Sequence, residues 1–202
     1  ILFIHPSCDI HPERHRHHPA YPEFSEYWRY LLRLSVLHMS EGSLLLLQMP
    51  SGFLLLPLQD GLQLAIDEMQ HFVEEVDCDV ICGTESRGFI FGMPIAYNLH
   101  KPFVPIRKKG KLPLETVEES YDLEYGSATI EMHKDSIKPG QKVVIIDDLI
   151  ATGGTVEACA KMIERLGGEV TRIVFLMELA GLKGREKLAK YDVKSVIRYD
   201  GK

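Results

Sequence analysis

The run Val143-Val144-Ile145-Ile146-Asp147-Asp148-Leu149-Ile150-Ala151-Thr152-Gly153-Gly154-Thr155 decides how this chain is read. Four β-branched apolar residues in a row indicate a strand buried on both faces, since a half-exposed strand would alternate. The strand ends on two adjacent carboxylates. Two hydroxyl residues then bracket a Gly-Gly pair, and a helical pattern runs from about Thr155 to Leu166. Glycines let backbone N–H groups close around an anion, and a helix N-terminus adds donors and positive partial charge. The lysine that follows the second glycine of a Walker loop is absent. Carboxylates repel phosphate, so Asp147 and Asp148 need sugar hydroxyls or a divalent metal as partners. A diacid beside a phosphate cradle implies a ribose 5-phosphate group. Its hydroxyls would meet Asp147 and Asp148, and its phosphate Ala151, Thr152, Gly153, Gly154 and Thr155. The plainer alternative is an acidic turn followed by a capped helix.

Outward from this run, short β-branched stretches alternate with helical ones. A helix is expected over Gly61 to Val76, where Leu62, Ala65, Ile66, Met69, Val73 and Val76 recur at three and four. Strands are expected at Val80 to Cys82, Phe103 to Arg107, Ser127 to Met132, Val170 to Met177 and Val193 to Tyr199. Helices are expected at Phe89 to Leu99 and Gly184 to Ala189, and a long polar loop over Lys108 to Tyr125. This alternation predicts an α/β fold, a mostly parallel twisted sheet with helices on both faces. Ligands of such sheets sit beyond the carboxyl ends of the strands.

The 202 residues carry 23 basic and 29 acidic side chains, for a net charge of -6. That balance argues against nucleic-acid binding, which needs a basic surface. No apolar run is long enough to cross a membrane; Leu44 to Leu58 is broken by Gln48, Pro50, Ser51, Gly52 and Pro57. Cys8, Cys78, Cys82 and Cys159 lack paired-knuckle spacing, so structural thiols in a reducing, cytoplasmic setting are expected. Five of the nine histidines fall in the first 18 residues. Residues 1 to about 24 read as an irregular arm, followed by a short helix over Glu26 to His38.

Two further stretches offer donors for an anion. Gly83-Thr84-Glu85-Ser86-Arg87-Gly88 follows a strand and opens a helix, and Arg107-Lys108-Lys109-Gly110-Lys111 places four cations at another strand end. A charge run is usually a solvated face. Directly after a buried strand, it is read here as an anion site.

The strand, diacid and Ala-Thr-Gly-Gly-Thr loop resemble the phosphoribosyl-pyrophosphate (PRPP) signature of the type I phosphoribosyltransferases. Three runs narrow the likeness to the adenine-using members: Gly83 to Gly92, Pro105 to Pro113, and Ser120-Tyr121-Asp122-Leu123-Glu124-Tyr125-Gly126. The tail from Met177 to Leu188 is similar to those members as well.

The resemblance implies transfer of the 5-phosphoribosyl group from PRPP to adenine, giving AMP and pyrophosphate. Magnesium would be carried by PRPP rather than held directly by protein ligands. It implies catalytic roles for Glu124, Tyr125 and Arg87, with Glu124 handling the adenine proton. Pyrophosphate would meet Glu85, Ser86, Arg87, Arg107, Lys108 and Lys111, partly from the neighbouring subunit of a homodimer, under a lid from about Leu112 to Tyr125. Breaking the anomeric bond builds negative charge on the leaving group, which cations and backbone donors stabilise. A lid that excludes water protects an oxocarbenium-like centre.

The expected organisation is an atypical N-terminal arm and small hood over residues 1–60, then a catalytic domain over 61–202. The family hood carries Phe-Arg-Asp-Ile-Thr-Pro-Leu. Here Pro50-Ser51-Gly52-Phe53-Leu54-Leu55-Leu56-Pro57-Leu58 keeps the Pro-Leu end and lacks the Arg. Three readings stay open for this stretch: an apolar lid built from Phe53 and the leucines, an impaired base site beside an intact PRPP half, or an altered start. Transfer to another base (xanthine or orotate) and a non-catalytic PRPP-binding regulator are the alternative functions.

Overall fold

The strand that carries the diacid is an inner strand of a seven-stranded sheet, beside the central one. The structure, a computed structural model, describes residues 59–122 and 126–200. In chain order its elements are α1 (Gln59–Glu74), β1 (Val80–Thr84), α2 (Arg87–Asn98), β2 (Phe103–Lys108), β3 (Thr116–Asp122), β4 (Ser127–His133), β5 (Lys142–Ile150), α3 (Gly154–Arg165), β6 (Glu169–Leu179), a 3-10 turn (Ala180–Leu182), α4 (Gly184–Lys187) and β7 (Val193–Tyr199). The strand order is β3-β4-β2-β1-β5-β6-β7. β2, β1, β5, β6 and β7 run parallel, while β4 joins β2, and β3 joins β4, antiparallel.

Side chains of a strand alternate between faces, and β5 divides its run accordingly. Val143 and Ile145 pack with Val156, Cys159, Met162 and Ile163 of α3. Val144 and Ile146 pack with Met69 and Val73 of α1 and Phe91 and Ile95 of α2. Helices therefore cover both faces, which is why this strand is apolar from Val143 to Ile146.

The expected elements appear with ends shifted by a few residues, with one correction. The stretch from Lys108 to Tyr125, expected as loop, contains β3, which pairs with β4 from Thr116↔His133 to Asp122↔Ser127. Its less exposed face is Val117, Glu119 and Tyr121, with Glu118, Ser120 and Asp122 outward. Glu119 interrupts the apolar alternation because it pairs with Arg165 of α3. A carboxylate at an inward position hid the strand. The expected His-rich arm, the helix over Glu26 to His38, the hood from Pro50 to Leu58, and Glu124 and Tyr125 lie outside the described residues.

Candidate active site

β1 is hydrogen-bonded to both β2 and β5, so successive connections leave it in opposite directions. A crevice opens beyond the strand ends at such a switch point. Two loops meet there: Glu85 and Ser86, leading from β1 into α2, and residues 151–153, leading from β5 into α3. Gly88 lets α2 come this close. A Cβ there would stand 2.6 Å from the Ile146 carbonyl and 2.8 Å from the Thr84 hydroxyl.

The crevice is a pocket of about 350 Å³ lined by Glu85, Ser86, Arg87, Lys108, Tyr121, Phe175 and the continuous run Asp147 to Val156. Asp147 Oδ1 accepts the Asp148 N–H at 2.9 Å. Asp148 is buried and its Oδ2 accepts the Arg87 Nε–H. Burial, then the neighbouring charge of Asp148, pushes the Asp147 carboxyl well above the ordinary aspartate range. An uncharged or cation-bearing partner suits such a carboxyl.

The loop after the diacid is built of backbone. Gly153 has φ 79, a left-handed conformation, and caps α3. A Cβ on Gly153 would meet the Gly184 carbonyl oxygen at 2.6 Å, and one on Gly184 would collide with the Ala151 carbonyl oxygen. Two glycines thus let the turn before α4 press on the back of the loop. Glu178 and Arg185 hold that turn: buried Glu178 accepts from Arg185 Nε at 2.7 Å and from Ser195 Oγ at 3.0 Å. Arg185 also donates to the Val193 carbonyl at 2.7 Å. The side chain of Lys187 places Nζ 4.0 Å from where a Cβ on Gly154 would stand, a cation beside the start of α3.

The cationic run sits differently. Lys108 lines the pocket, whereas Arg107 and Lys111 are not part of its lining. Glu85 accepts from Arg107 Nε at 3.3 Å and Nη2 at 3.4 Å, and from the Lys108 N–H at 2.8 Å. Burial works to raise its pKa, yet these donors hold the carboxyl below the usual range. Glu85 therefore anchors the cations, and its acidic oxygens are committed to them.

The structure brings Glu85, Ser86, Arg87, Lys108, Asp147, Asp148 and Ala151 to Thr155 around one pocket. Sequence reading missed Tyr121 and Phe175 in its wall and Gly184 behind the loop. Tyr121 lay in the stretch taken as loop. Gly184 looked like an ordinary residue at a helix start, because only tertiary packing reveals the constraint.

A parallel sheet whose switch point carries a diacid and a glycine-built anion loop defines a sugar-phosphate-binding enzyme class. A family model, the phosphoribosyl transferase domain, matches residues 61–200. Adenine phosphoribosyltransferase of Lachnoclostridium phytofermentans is 72% identical over 144 residues, 71% of this chain and 83% of that protein. The crystal structure of adenine phosphoribosyltransferase from Thermoanaerobacter pseudethanolicus has a TM-score of 0.70 at 48% identity, covering 72% of this chain and 84% of that one. The enzyme from Saccharomyces cerevisiae, solved with an imino-altritol bisphosphate and adenine, has a TM-score of 0.66 at 40% identity, covering 70% and 82%. The chain belongs to the phosphoribosyltransferase family, among its adenine phosphoribosyltransferases.

Proposed function

We propose that the pocket transfers the 5-phosphoribosyl group of PRPP to adenine, giving AMP and pyrophosphate. The observation that carries this reading is the join of diacid and anion loop at one switch point, in a chain 72% identical to an adenine phosphoribosyltransferase over 144 residues. Asp147 and Asp148 take the ribose hydroxyls, and Ala151, Thr152, Gly153, Gly154 and Thr155 take the 5-phosphate through N–H and hydroxyl donors. Arg87, Ser86 and Lys108 face the pyrophosphate, and Glu85 keeps Arg107 and Lys108 in place. Glu124 and Tyr125, outside the described residues, are proposed to act at the base, Glu124 in proton handling.

Among the described residues no three acidic, His or Cys side chains converge as a metal cage. Two adjacent carboxylates beside a phosphate loop fit magnesium that would arrive on PRPP, and Asp147 and Asp148 would hold the sugar that carries it. Magnesium so bound supplies neutralising charge to the leaving pyrophosphate.

The active form is proposed to be a homodimer. Arg107 and Lys111 stand off the lining of the pocket on their own chain, which suits delivery to a second copy's site. Met93 and Tyr97, 51% and 79% exposed on one side of α2, offer an apolar face. The cytoplasm is the proposed location. Cys78, Cys82 and Cys159 are free and buried, and no helix among the described residues is long and apolar enough to cross a membrane.

Isothermal titration of the whole chain with PRPP and magnesium tests the pocket. Saturable binding that Asp147→Asn plus Asp148→Asn weakens is expected. Absence of binding by the unmodified chain overturns the reading.

A further inference from the structure

Glu131 is a carboxylate in the middle of a strand, 3% exposed, between the apolar residues Ile130 and Met132 of β4. Burying an ionised group there is costly unless it is fully hydrogen-bonded. Its register partners are Arg107 of β2 on one side and Glu118 of β3 on the other. Glu118 gives its own charge to Lys109 at 2.7 Å. The Glu131 side chain reaches past these neighbours to the turn beyond β2. Its Oε1 accepts the Lys111 N–H at 2.7 Å and the Leu112 N–H at 2.8 Å. Gly110, at φ 84, supplies the left-handed bend that aims successive N–H groups at one oxygen. Burial tends to raise the pKa of Glu131, but the N–H groups of Leu112, Gly110 and Lys111 outweigh it and keep the carboxylate charged.

The consequence concerns the cationic run. Lys108, Lys109 and Lys111 are exposed and mutually repelling. Two carboxylates hold the backbone under them: Glu85 at the Lys108 N–H, and Glu131 at the Lys111 and Leu112 N–H groups. The grip leaves the side chains of Lys108 and Lys111 outside it.

We infer that Glu131 is a positioning residue: it fixes the Lys108–Leu112 turn so that its lysines are presented, preformed, to the leaving pyrophosphate. This rests on the phosphoribosyl-transfer reading of the pocket. Preformed charge needs no reorganisation as the bond breaks.

The test uses the full chain with Glu131→Gln and, separately, Gly110→Ala, measuring AMP formation, KM for PRPP and adenine, and thermal unfolding. Glu131→Gln removes the charge that binds the turn while nearly keeping shape. Gly110→Ala strains the exposed bend with no side chain or backbone within 4 Å to clash. Each is expected to raise KM for PRPP about tenfold, the scale of one charge-assisted hydrogen bond, with KM for adenine unchanged. As a stability control, Val73→Ala in the buried face of α1 lowers the melting temperature without that selective rise. If Glu131→Gln fails to fold, Gly110→Ala carries the test. A folded variant of either kind with an unchanged KM for PRPP overturns the inference and leaves the pocket reading intact. An unmodified chain that makes no AMP overturns both.

Discussion

The two sides of the pocket hold their proposed anion-binding groups by opposite means. On the β5 side, the phosphate loop is backbone: Gly153 and Gly184 touch main chain to main chain, and side-chain charges stand behind them. On the β2–β4 side, Lys108 in the lining and Arg107, Lys109 and Lys111 beside it are kept in place by Glu85, Glu131 and Glu118. A backbone cradle depends on shape and tolerates almost no added volume. A charge-held turn depends on ionisation and tolerates volume but not neutralisation. The difference says which kind of substitution each side should fail under.

The largest effect is expected where the loop side meets the core. Phe175, fully buried in β6, forms part of the pocket wall. Phe175→Ala should cost about 3–5 kcal/mol of stability, read by chemical denaturation, because the site cannot collapse around a lost ring. Gly184→Ala is the next largest. Its Cβ would meet the Ala151 carbonyl and Ile150 Cγ1, the latter at 2.8 Å, so the loop must shift. A displacement of that order is expected to cost about 100-fold in kcat/KM. A wild-type rate in Gly184→Ala would break the comparison at its strongest point.

The response to pH separates the two sides by sign. Asp147 is raised by burial and by Asp148. The folded chain then holds a proton that the unfolded chain has released, so stability falls as pH rises from the ordinary aspartate value of about 4 through the raised one. Glu131 is lowered once its N–H donors outweigh burial. Its contribution is present above the ordinary glutamate value and is lost as pH falls through the lowered one. In melting curves across pH, Asp147→Asn should flatten the alkaline-side decline, and Glu131→Gln the acid-side decline. Equal slopes in both variants would contradict the assignment. The smallest effect belongs to the exposed pair Lys109–Glu118, side chains 60% and 39% exposed. Lys109→Ala should leave the melting temperature nearly unchanged, because solvent screens an exposed pair.

The same division explains what the sequence disclosed. The strand at Val143 to Ile146 must be apolar on both faces and its loop must be glycine, so local residues announce β5, the diacid and the cradle. The edge strand β3 did not announce itself, because Glu119 spends an inward position on Arg165 of α3, an element far along the chain. Glu85 is expected at the pyrophosphate because it lies in the same loop as Arg87. Its role as an anchor for Arg107 and Lys108 depends on the pairing of β1 with β2. Gly184 and Glu131 were silent for the same reason: each acts on a segment that only folding brings beside it.

Transfer to adenine is proposed for the full chain, in which Pro50 to Leu58 stands where the family carries its hood sequence. The direct measurement is product formation by the full chain with PRPP and magnesium, offered adenine, xanthine and orotate in parallel. AMP and pyrophosphate are expected in equal amounts from adenine, with neither other base consumed. Turnover of xanthine or orotate in place of adenine, or PRPP binding with no nucleotide formed from any base, would contradict it.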